Sequence, residues 1–352
     1  MRTLCLASLV LTALGATTLG QQALRPASPI GVLVGVHRRA DVAVTTTAPE
    51  PATLRTLWLE SSGATTTTVP HLLVPRSTGF WRIELVHFCG EEPDFDFDDK
   101  PIGDALDVNE ELWAYPIEAR PVIPEGQTCQ SKNVHCVNDH QKALFWVWPN
   151  FVSMEDAFEP PGCGFSMWSA LDYTMRRIES LDKPIAISEA IGPATQQRMQ
   201  AAFDAARKDD ASSQGSECVQ ETAFQPTSWR ITHENGDWRL EGWANTHRLC
   251  GLGFDYTAAT DLRPVTGPTG SPRAEWRRVP GATDALASPD GRWAVVITPT
   301  QLLLIPSATP ASPVAKAALS EDDSVVMVEW AVGSHINRWR RQVQAQSARK
   351  RQ

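Results

Sequence analysis

Short runs of β-branched and aromatic residues, separated by turn-forming residues, constrain the fold of this chain more than any other feature of its sequence. Five such runs lie in the first half: GVLVGV (31–36), DVAVTTT (41–47), TLRTLWLE (53–60), FWRIELVHF (80–88) and ALFWVWP (143–149). Runs of this length and composition, bounded by Pro, Gly or Ser/Thr clusters, predict strands. We therefore expect a β-rich first half.

A glycine precedes a tryptophan by two residues at three places, Gly79-Phe-Trp81, Gly236-Asp-Trp238 and Gly291-Arg-Trp293. Two of these glycines complete the turn dipeptides Asn-Gly and Asp-Gly, which favour two-residue hairpin loops. Each place should be a turn that opens a half-buried strand. The unequal intervals predict recurrent hairpins and not a repeat array.

Helical patterns are few. Pro193 followed by ATQQRMQAAFDAARKDD (194–210) predicts a helix that begins at the proline and buries Met199 and Phe203 on one face. The segment SMWSALDYTMRRIESL (166–181) fits a helix or a strand. The last segment, 334–352, predicts a short amphipathic helix that ends in a basic tail. Together these patterns predict a β-rich α+β fold, with antiparallel sheets, one or two packed helices and a C-terminal β-meander or blade-like unit.

Linker-like composition suggests how the chain divides. Pro, Gly, Ser and Thr dominate residues 264–273, as is typical of loops and domain boundaries. We expect a signal segment at 1–20, an α+β body at 21–263, the linker at 264–273, a C-terminal β unit at 274–331 and a basic helix or tail at 332–352.

The first twenty residues, MRTLCLASLVLTALGATTLG, combine an early arginine, a short apolar core and small residues before Gln21. This pattern is typical of a cleaved secretory signal, and the apolar core is too short to span a bilayer. No later apolar run approaches the roughly 20 residues that a membrane helix needs. The sequence therefore predicts a periplasmic or secreted protein without a transmembrane segment after signal cleavage.

An even number of cysteines remains after the signal, which in an oxidising compartment favours three disulfides. Cys129 and Cys136 could bridge a polar loop, and Cys218 and Cys250 could clamp the hairpin between them. Cys89 and Cys163 would remain as the third pair. Six cysteines allow 15 pairings, so the spacing leaves the connectivity open.

The stretch EEPDFDFDDK (91–100) carries six acids and one lysine. Asp94, Asp96 and Asp98 have the alternate spacing of calcium ligands, but Asp99 and Ala105 stand where the helix-loop-helix calcium motif needs Gly and Glu. Phenylalanines at alternate positions also suit a strand. Three alternatives stay open: a charged edge strand or loop, an irregular calcium-type cation site, or a docking surface for a basic partner.

No complete catalytic motif occurs in the sequence: Gly-x-Ser-x-Gly, His-Glu-x-x-His and the phosphate-binding Gly-rich loop are all missing. Ser180-Leu-Asp-Lys183 matches Ser-x-x-Lys, but the motifs that accompany it in known enzymes are missing, so the match is attributed to chance. His87, His233 and His247 lie on or beside predicted strands, where a structural role is commoner than a catalytic one. Among the 13 tryptophans, Trp146 and Trp148 share one face of a predicted strand. Core packing is the favoured role for this pair, and a stacking platform for a ligand is the alternative.

Two stretches resemble extracytoplasmic families. SPDGRWAVVI (288–297), followed by QLLLIP (301–306) and SVVMVEWAVG (324–333), resembles one blade of the TolB-type β-propellers of the periplasm. FVSMEDAF (151–158), followed by LDKPIAISEAIGPATQQRMQAAF (181–203), is similar to the small α+β domain of bacterial anti-sigma sensors and some cell-wall deacetylases. Because that domain is itself non-catalytic, the resemblance implies a binding or structural role.

The sequence thus predicts an exported, disulfide-bonded, non-catalytic binding or structural module of the bacterial envelope. Its partner would be an envelope protein or polymer, since export argues against nucleic acid, and no cofactor is expected beyond a possible calcium ion. Two alternatives stay open, a divergent envelope hydrolase with carboxylates from distant loops and a calcium-stabilised structural domain.

Overall fold

The computed structural model describes residues 28–39, 52–63, 66–95, 101–119, 134–159, 170–214, 223–234, 237–245, 251–256, 274–307 and 312–349. Strands dominate these ranges. They are β1 (Ile30–Arg38), β2 (Thr53–Glu60), β3 (Thr67–Val69), β4 (Leu72–Arg76), β5 (Gly79–Phe95), β6 (Pro101–Pro116), β7 (Val134–Val147), β8 (Phe151–Glu159), β9 (Ala170–Arg177), β10 (Ser180–Pro184), β11 (Trp229–Glu234), β12 (Asp237–Asn245), β13 (Gly251–Tyr256), β14 (Asp284–Ala287), β15 (Trp293–Ile297), β16 (Gln301–Pro306), β17 (Ala315–Ala318) and β18 (Asp323–Val332).

The helices are α1 (Ile187–Ala190), α2 (Pro193–Gln214) and α3 (Ser334–Arg349), with a 3₁₀ turn at Ala274–Arg278. The helices predicted from Pro193 and for the last segment are confirmed as α2 and α3. The ambiguous segment 166–181 contributes strand β9, because residues 170–177 pair with β8. Among the described helices, none is both long enough and apolar enough to cross a bilayer.

The described strands form four sheets. Sheet 1 has the order β18-β1-β2-β3, and sheet 2 has the order β10-β9-β8-β7-β6-β5-β4. Sheet 3 is β11-β12-β13 and sheet 4 is the meander β14-β15-β16-β17. Neighbouring strands are antiparallel except β6 and β7, which are parallel. The predicted β-rich α+β class with antiparallel sheets is confirmed.

The sheets stack because alternate residues of their strands face opposite sides. Leu33 and Trp58 of sheet 1 share a core with Val147 and Met154 of sheet 2, and α3 adds Trp339 to this cluster. The other face of sheet 1 packs on sheet 4, with Val32, Val34, Leu57 and Leu59 against Val295, Leu302 and Leu304. The other face of sheet 2 is covered by α2 and sheet 3. Sheet 1 and the β7–β9 part of sheet 2 are therefore covered on both faces.

The first and last strands lie side by side. β18 pairs antiparallel with β1, with Ile30 opposite Val332. The run SVVMVEWAVG, which the sequence resemblance assigned to a propeller blade, thus lies in sheet 1, whereas β14–β17 form a separate four-stranded meander. Sheet 1 joins strands from both sides of the expected boundary, and the linker 264–273 lies outside the described residues.

The predicted strands 31–36 and 53–60 are confirmed as β1 and β2, and the runs at 80–88 and 143–149 fall in or at the end of the longer strands β5 and β7. The run 41–47 lies outside the described residues. The hairpin predicted at Asn235-Gly236 joins β11 to β12, with Glu234 opposite Asp237. Gly79 and Gly291 have positive φ, at 140° and 67°, which explains glycine at both turns.

Candidate functional site

A cleft of about 370 Å³ opens between sheets 1 and 2, and we call it the edge cleft. It is lined by Ala52, Thr53, Leu54, Arg55, Thr68, Pro70, Glu84 and Leu85. These residues come from β2 and the residue before it, from β3 and the residue after it, and from the middle of β5. The cleft lies where the chain leaves sheet 1 at the end of β3 and enters sheet 2 at Leu72.

Two strand edges border this cleft. β3 pairs with only Thr56, Leu57 and Trp58 of β2, so Thr53–Arg55 extend beyond it. β4 pairs with only Gly79–Ile83 of β5, so Glu84 and Leu85 extend beyond β4. Within the described ranges, no strand continues either pairing. Backbone N–H and C=O groups of both sheets are therefore available at the cleft.

Thr56 of β2 holds the β3–β4 crossover, Pro70 and His71, through two hydrogen bonds of its hydroxyl. The Thr56 hydroxyl donates to the His71 carbonyl at 2.7 Å and accepts from the Leu73 N–H at 2.8 Å. The His71 side chain is buried, and its ring nitrogens have no hydrogen-bond partner among the described residues. Burial, aided by the charge of Arg82, lowers the pKa of His71 to about 3. The imidazole is therefore neutral at ordinary pH.

Arg55 forms the β2 side of the cleft and is already paired. Its guanidinium makes two hydrogen bonds to the Asp323 carboxylate at the start of β18, one of them 3.1 Å long. The Asp323 side chain is fully buried, whereas Arg55 remains partly exposed. Asp323 also accepts from the Ser320 N–H at 2.6 Å. The pair fixes the cleft wall to the C-terminal part of the chain.

Glu84 forms the β5 side and is likewise engaged. Its carboxylate accepts hydrogen bonds from Arg82 on the same strand and from the Tyr115 hydroxyl on β6. Burial raises the pKa of Tyr115 above its usual value, and the hydrogen bond and charge of Glu84 raise it further. The two ionic groups of the cleft, Arg55 and Glu84, are thus both bound by other side chains of the protein. The Thr53 and Thr68 side chains and the strand edges remain for a ligand.

The structure describes the first five residues of the acidic stretch 91–100. Residues 91–95 continue β5 and pair with β6, with Glu91 opposite Leu106 and Asp94 opposite Gly103. The stretch is therefore the end of a long hairpin arm, in keeping with the edge-strand alternative. Asp96 and Asp98 lie outside the described residues. No group of three or more metal-binding side chains was found among those described, and calcium binding at Asp94, Asp96 and Asp98 stays a prediction.

The disulfide predictions also stay open. Cys129, Cys163, Cys218 and Cys250 lie outside the described residues. Cys89 and Cys136 lie on β5 and β7, where the backbone course alone is described, and β6 separates these two strands. Each strand spacing is about 4.8 Å, so a direct bond between Cys89 and Cys136 does not fit the sheet.

Trp146 and Trp148 do not form a solvent-exposed stacking platform, and this alternative is corrected. Their exposed fractions are 4% and 3%. Both rings pack against Trp238 of β12, at centroid distances of 5.0 and 5.5 Å. Trp146, near the end of β7, and Trp148, directly after β7, lie in one cluster as expected, but this cluster lies under sheet 3 and α2.

His233 lies beside these tryptophans. Its Nδ1 is 2.7 Å from the Asp284 carboxylate, which links β11 to β14. Its ring contacts Trp238 edge-on at 4.5 Å. A buried histidine bonded to a carboxylate and boxed by aromatic rings fits the structural role expected for it. Of the other two histidines, His87 lies on β5 where side chains are not described, and His247 lies outside the described residues.

One pair of carboxylates does face each other. Asp156 on β8 lies directly opposite Asp172 on β9. Lys142 and Arg176 bind Asp156, whereas Asp172 accepts a hydrogen bond from the Ser228 hydroxyl at 2.9 Å. Burial raises the pKa of Asp172, and the negative charge of Asp156 adds to this effect.

Comparisons with family models, with curated proteins and with solved structures gave no match to this chain. The function is therefore argued from the geometry of the chain itself. Sequence reasoning did not identify the lining of the edge cleft, because no motif marks the place where one strand extends beyond its neighbour.

Proposed function

We propose that this protein is an exported, non-catalytic binding module of the bacterial envelope that takes an extended polypeptide segment in the edge cleft. One observation carries the proposal: two sheets each end a strand pairing at the same cleft, so one cavity is bordered by backbone of β2 and β5 that has no strand partner among the described residues. A polypeptide is the ligand whose own backbone can satisfy such edges, by adding a strand.

The side chains of the cleft also favour binding over proton transfer. Arg55 and Glu84 are held by Asp323, Arg82 and Tyr115, so neither is positioned as a free acid or base. Leu54, Leu85 and Pro70 supply apolar contact area next to the threonines. Small apolar pockets beside a strand edge give side-chain selectivity in strand addition.

The location in the envelope rests on the signal-like segment 1–20 and on the cysteine content. The ligand would then be a segment of another envelope protein. The basic C-terminal stretch, with six bases and no acid over 332–352, supports an additional weak contact with an anionic envelope polymer.

A binding titration tests the proposal. The oxidised chain from residue 21 is titrated into a labelled neutral decapeptide in which Thr alternates with Val, and fluorescence anisotropy is recorded. We expect saturable binding that Thr68→Trp abolishes, because the indole fills the cleft. Thr300→Trp, at an exposed threonine between β15 and β16, is the matched control and should bind normally. Absence of saturable binding, or equal binding by Thr68→Trp, would refute the proposal.

A second candidate is the divergent hydrolase, which the facing Asp156 and Asp172 favour. Paired carboxylates in unlike environments can divide into acid and base. The test is turnover of peptidoglycan fragments and generic ester and peptide substrates by the wild type and by Asp172→Asn. Turnover lost in Asp172→Asn would support the hydrolase and displace the binding proposal. No turnover by the wild type would remove this candidate.

A further inference from the structure

β5 continues far beyond its neighbour β4. The pairing with β4 ends at Ile83, opposite Leu72, whereas β5 runs on to Phe95 with β6 along its other side. In the part of the chain that the structure describes, no strand pairs with the β4 side of Glu84–Phe95. Pro93 lacks an N–H and limits the usable edge to about Glu84–Glu92. At about 3.4 Å per residue this edge is roughly 30 Å long.

The edge begins in the edge cleft. Glu84 and Leu85 line the cavity. The β4–β5 pairing ends beside them at Leu72 and Ile83, directly after the β3–β4 crossover. A strand laid on β5 would therefore start against Thr68 and Pro70 and run outward along the hairpin. The cleft supplies the one enclosed end of the site, and the backbone of β5 supplies its length.

The hairpin arms that carry this edge are strongly acidic. Residues 84–95 and 101–111 together contain eight acids and no lysine or arginine. The acids are Glu84, Glu91, Glu92, Asp94, Asp104, Asp107, Glu110 and Glu111. Pairing of two β5 edges from two copies would bring like charges together, which disfavours a second copy as the occupant. A segment with basic side chains complements the charge.

We infer that β5 accepts an extended, basic polypeptide segment of another protein as an additional strand that begins in the edge cleft. The inference rests on the proposed function and specifies its ligand. The backbone of the segment would bond to Glu84–Glu92, and its Lys or Arg side chains would lie over the acidic hairpin.

The test compares decapeptides of matched length in the anisotropy assay. A peptide that alternates Lys and Val should bind at least tenfold more tightly than the neutral Thr-Val peptide. A Glu-Val peptide should bind at least tenfold more weakly than the neutral one. Affinity for the Lys-Val peptide should fall as salt rises, because salt screens the attraction between the lysines and the acidic residues of the hairpin. Equal affinities for the three peptides, with all three blocked by Thr68→Trp, would overturn this inference and leave the proposed function standing.

Two N-methylated isomers of the Lys-Val peptide separate strand addition from nonspecific attraction. One carries N-methyl groups on every lysine amide and the other on every valine amide, so their charges are identical. In a strand, alternate amides point to opposite edges. One isomer should therefore lose at least tenfold in affinity while the other keeps it, and equal affinities of the two isomers would overturn the inference.

A variant of the protein tests the charge without touching the cleft. Glu91→Gln with Glu92→Gln should weaken the Lys-Val peptide about three- to fivefold, the range for exposed ion pairs, and leave the neutral peptide unchanged. Sedimentation of the chain without peptide should show a monomer. A dimer that the Lys-Val peptide dissociates would make a second copy the occupant and overturn the assignment to another protein.

Discussion

The two ends of β2 meet the C-terminal part of the chain in similar ways but face different surroundings. At one end, Glu60 is buried and accepts two hydrogen bonds from Arg340 of α3, at 2.5 and 2.7 Å. At the other end, Arg55 pairs with the buried Asp323 and borders the edge cleft. Each end has one arginine and one buried acid, yet one end is closed by a helix and the other is open.

The difference shows what closes a sheet interface. At the Glu60 end, Trp58 donates to Glu60 at 2.6 Å, and Trp339 of α3 packs edge-on against Phe80 at 5.7 Å. At the Arg55 end, β3 and β4 stop short and no described helix covers the gap. An ion pair alone thus fixes the strand without sealing the interface. The four predictions below test this contrast, in order of decreasing effect.

Arg340→Ala should give the largest loss. Among the described residues, it leaves the buried Glu60 carboxylate with Trp58 and Ser62 as its only partners, and uncompensated buried charges are costly. We expect a loss of about 3 kcal/mol in the free energy of unfolding, measured by urea denaturation. Glu60→Gln with Arg340→Ala should recover part of this loss. A loss below that of Arg55→Ala would contradict the contrast between the two ends.

Mild acid should lower the free energy of unfolding through His71, which lies at the open end. His71 has a pKa of about 3 in the folded protein against an ordinary 6.5, so the unfolded chain binds a proton that the folded chain rejects. Stability is therefore unaffected above about pH 6.5 and falls as the pH drops below it, at about 1.4 kcal/mol per unit once the unfolded histidine is protonated. Between pH 6.5 and 5 we expect a loss of up to about 2 kcal/mol.

The control for this pH effect is His71→Phe, which should flatten the unfolding free energy over the same interval. Glu60 also loses its contribution on acidification but over a lower pH range, because the Arg340, Trp58 and Ser62 hydrogen bonds outweigh burial and lower its pKa. Its contribution is complete above about pH 4.5 and is lost only in stronger acid. A pH dependence unchanged by His71→Phe would exclude the histidine as its source.

Gly31→Ala tests the packing at the closed end. A β-carbon at Gly31 would lie 2.2 Å from the Trp58 ring, so the indole that donates to Glu60 would have to move. We expect a loss of about 1 to 2 kcal/mol, as for overpacked cores. Trp58 fluorescence in the folded state should shift as well. An unchanged free energy of unfolding would show that the closed end accommodates an added methyl group without loss of stability, which would contradict this prediction.

Arg55→Ala should have the smallest effect, about 1 kcal/mol. Asp323 keeps the Ser320 N–H, and the open cleft admits water to the vacated space. Thr53→Ala, at an exposed neighbour on the same strand, should stay within about 0.5 kcal/mol. A loss for Arg55→Ala as large as for Arg340→Ala would mean that the cleft is sealed in solution.

The sequence predicted the elements well and the site poorly. Composition and turn residues were enough for β1, β2 and α2, because these signals are local. The strand or helix nature of 166–181 was decided by pairing with β8, which is a tertiary contact. Trp146 and Trp148 illustrate the limit of prediction from sequence. Alternation places them on one face, but it does not say what covers that face.

The edge cleft could not be predicted from the sequence for a related reason. Its lining comes from three separate strands, and what creates it is a difference in length between neighbours, β4 against β5 and β3 against β2. No residue type encodes such a difference. The pairing of β1 with β18 was also missed, because a register between positions 30 and 332 leaves no periodic trace.

The pairing of β1 with β18 has a consequence for how the chain acquires its structure. Synthesis runs from the N-terminus, so β1 can pair with β2 early but lacks its other neighbour until residues 323–332 have emerged. Contacts so distant in sequence slow folding, and an apolar strand with an open edge can associate with other chains meanwhile. Loss of the last thirty residues would leave that edge open permanently, so a shortened chain should aggregate during refolding while the intact chain does not.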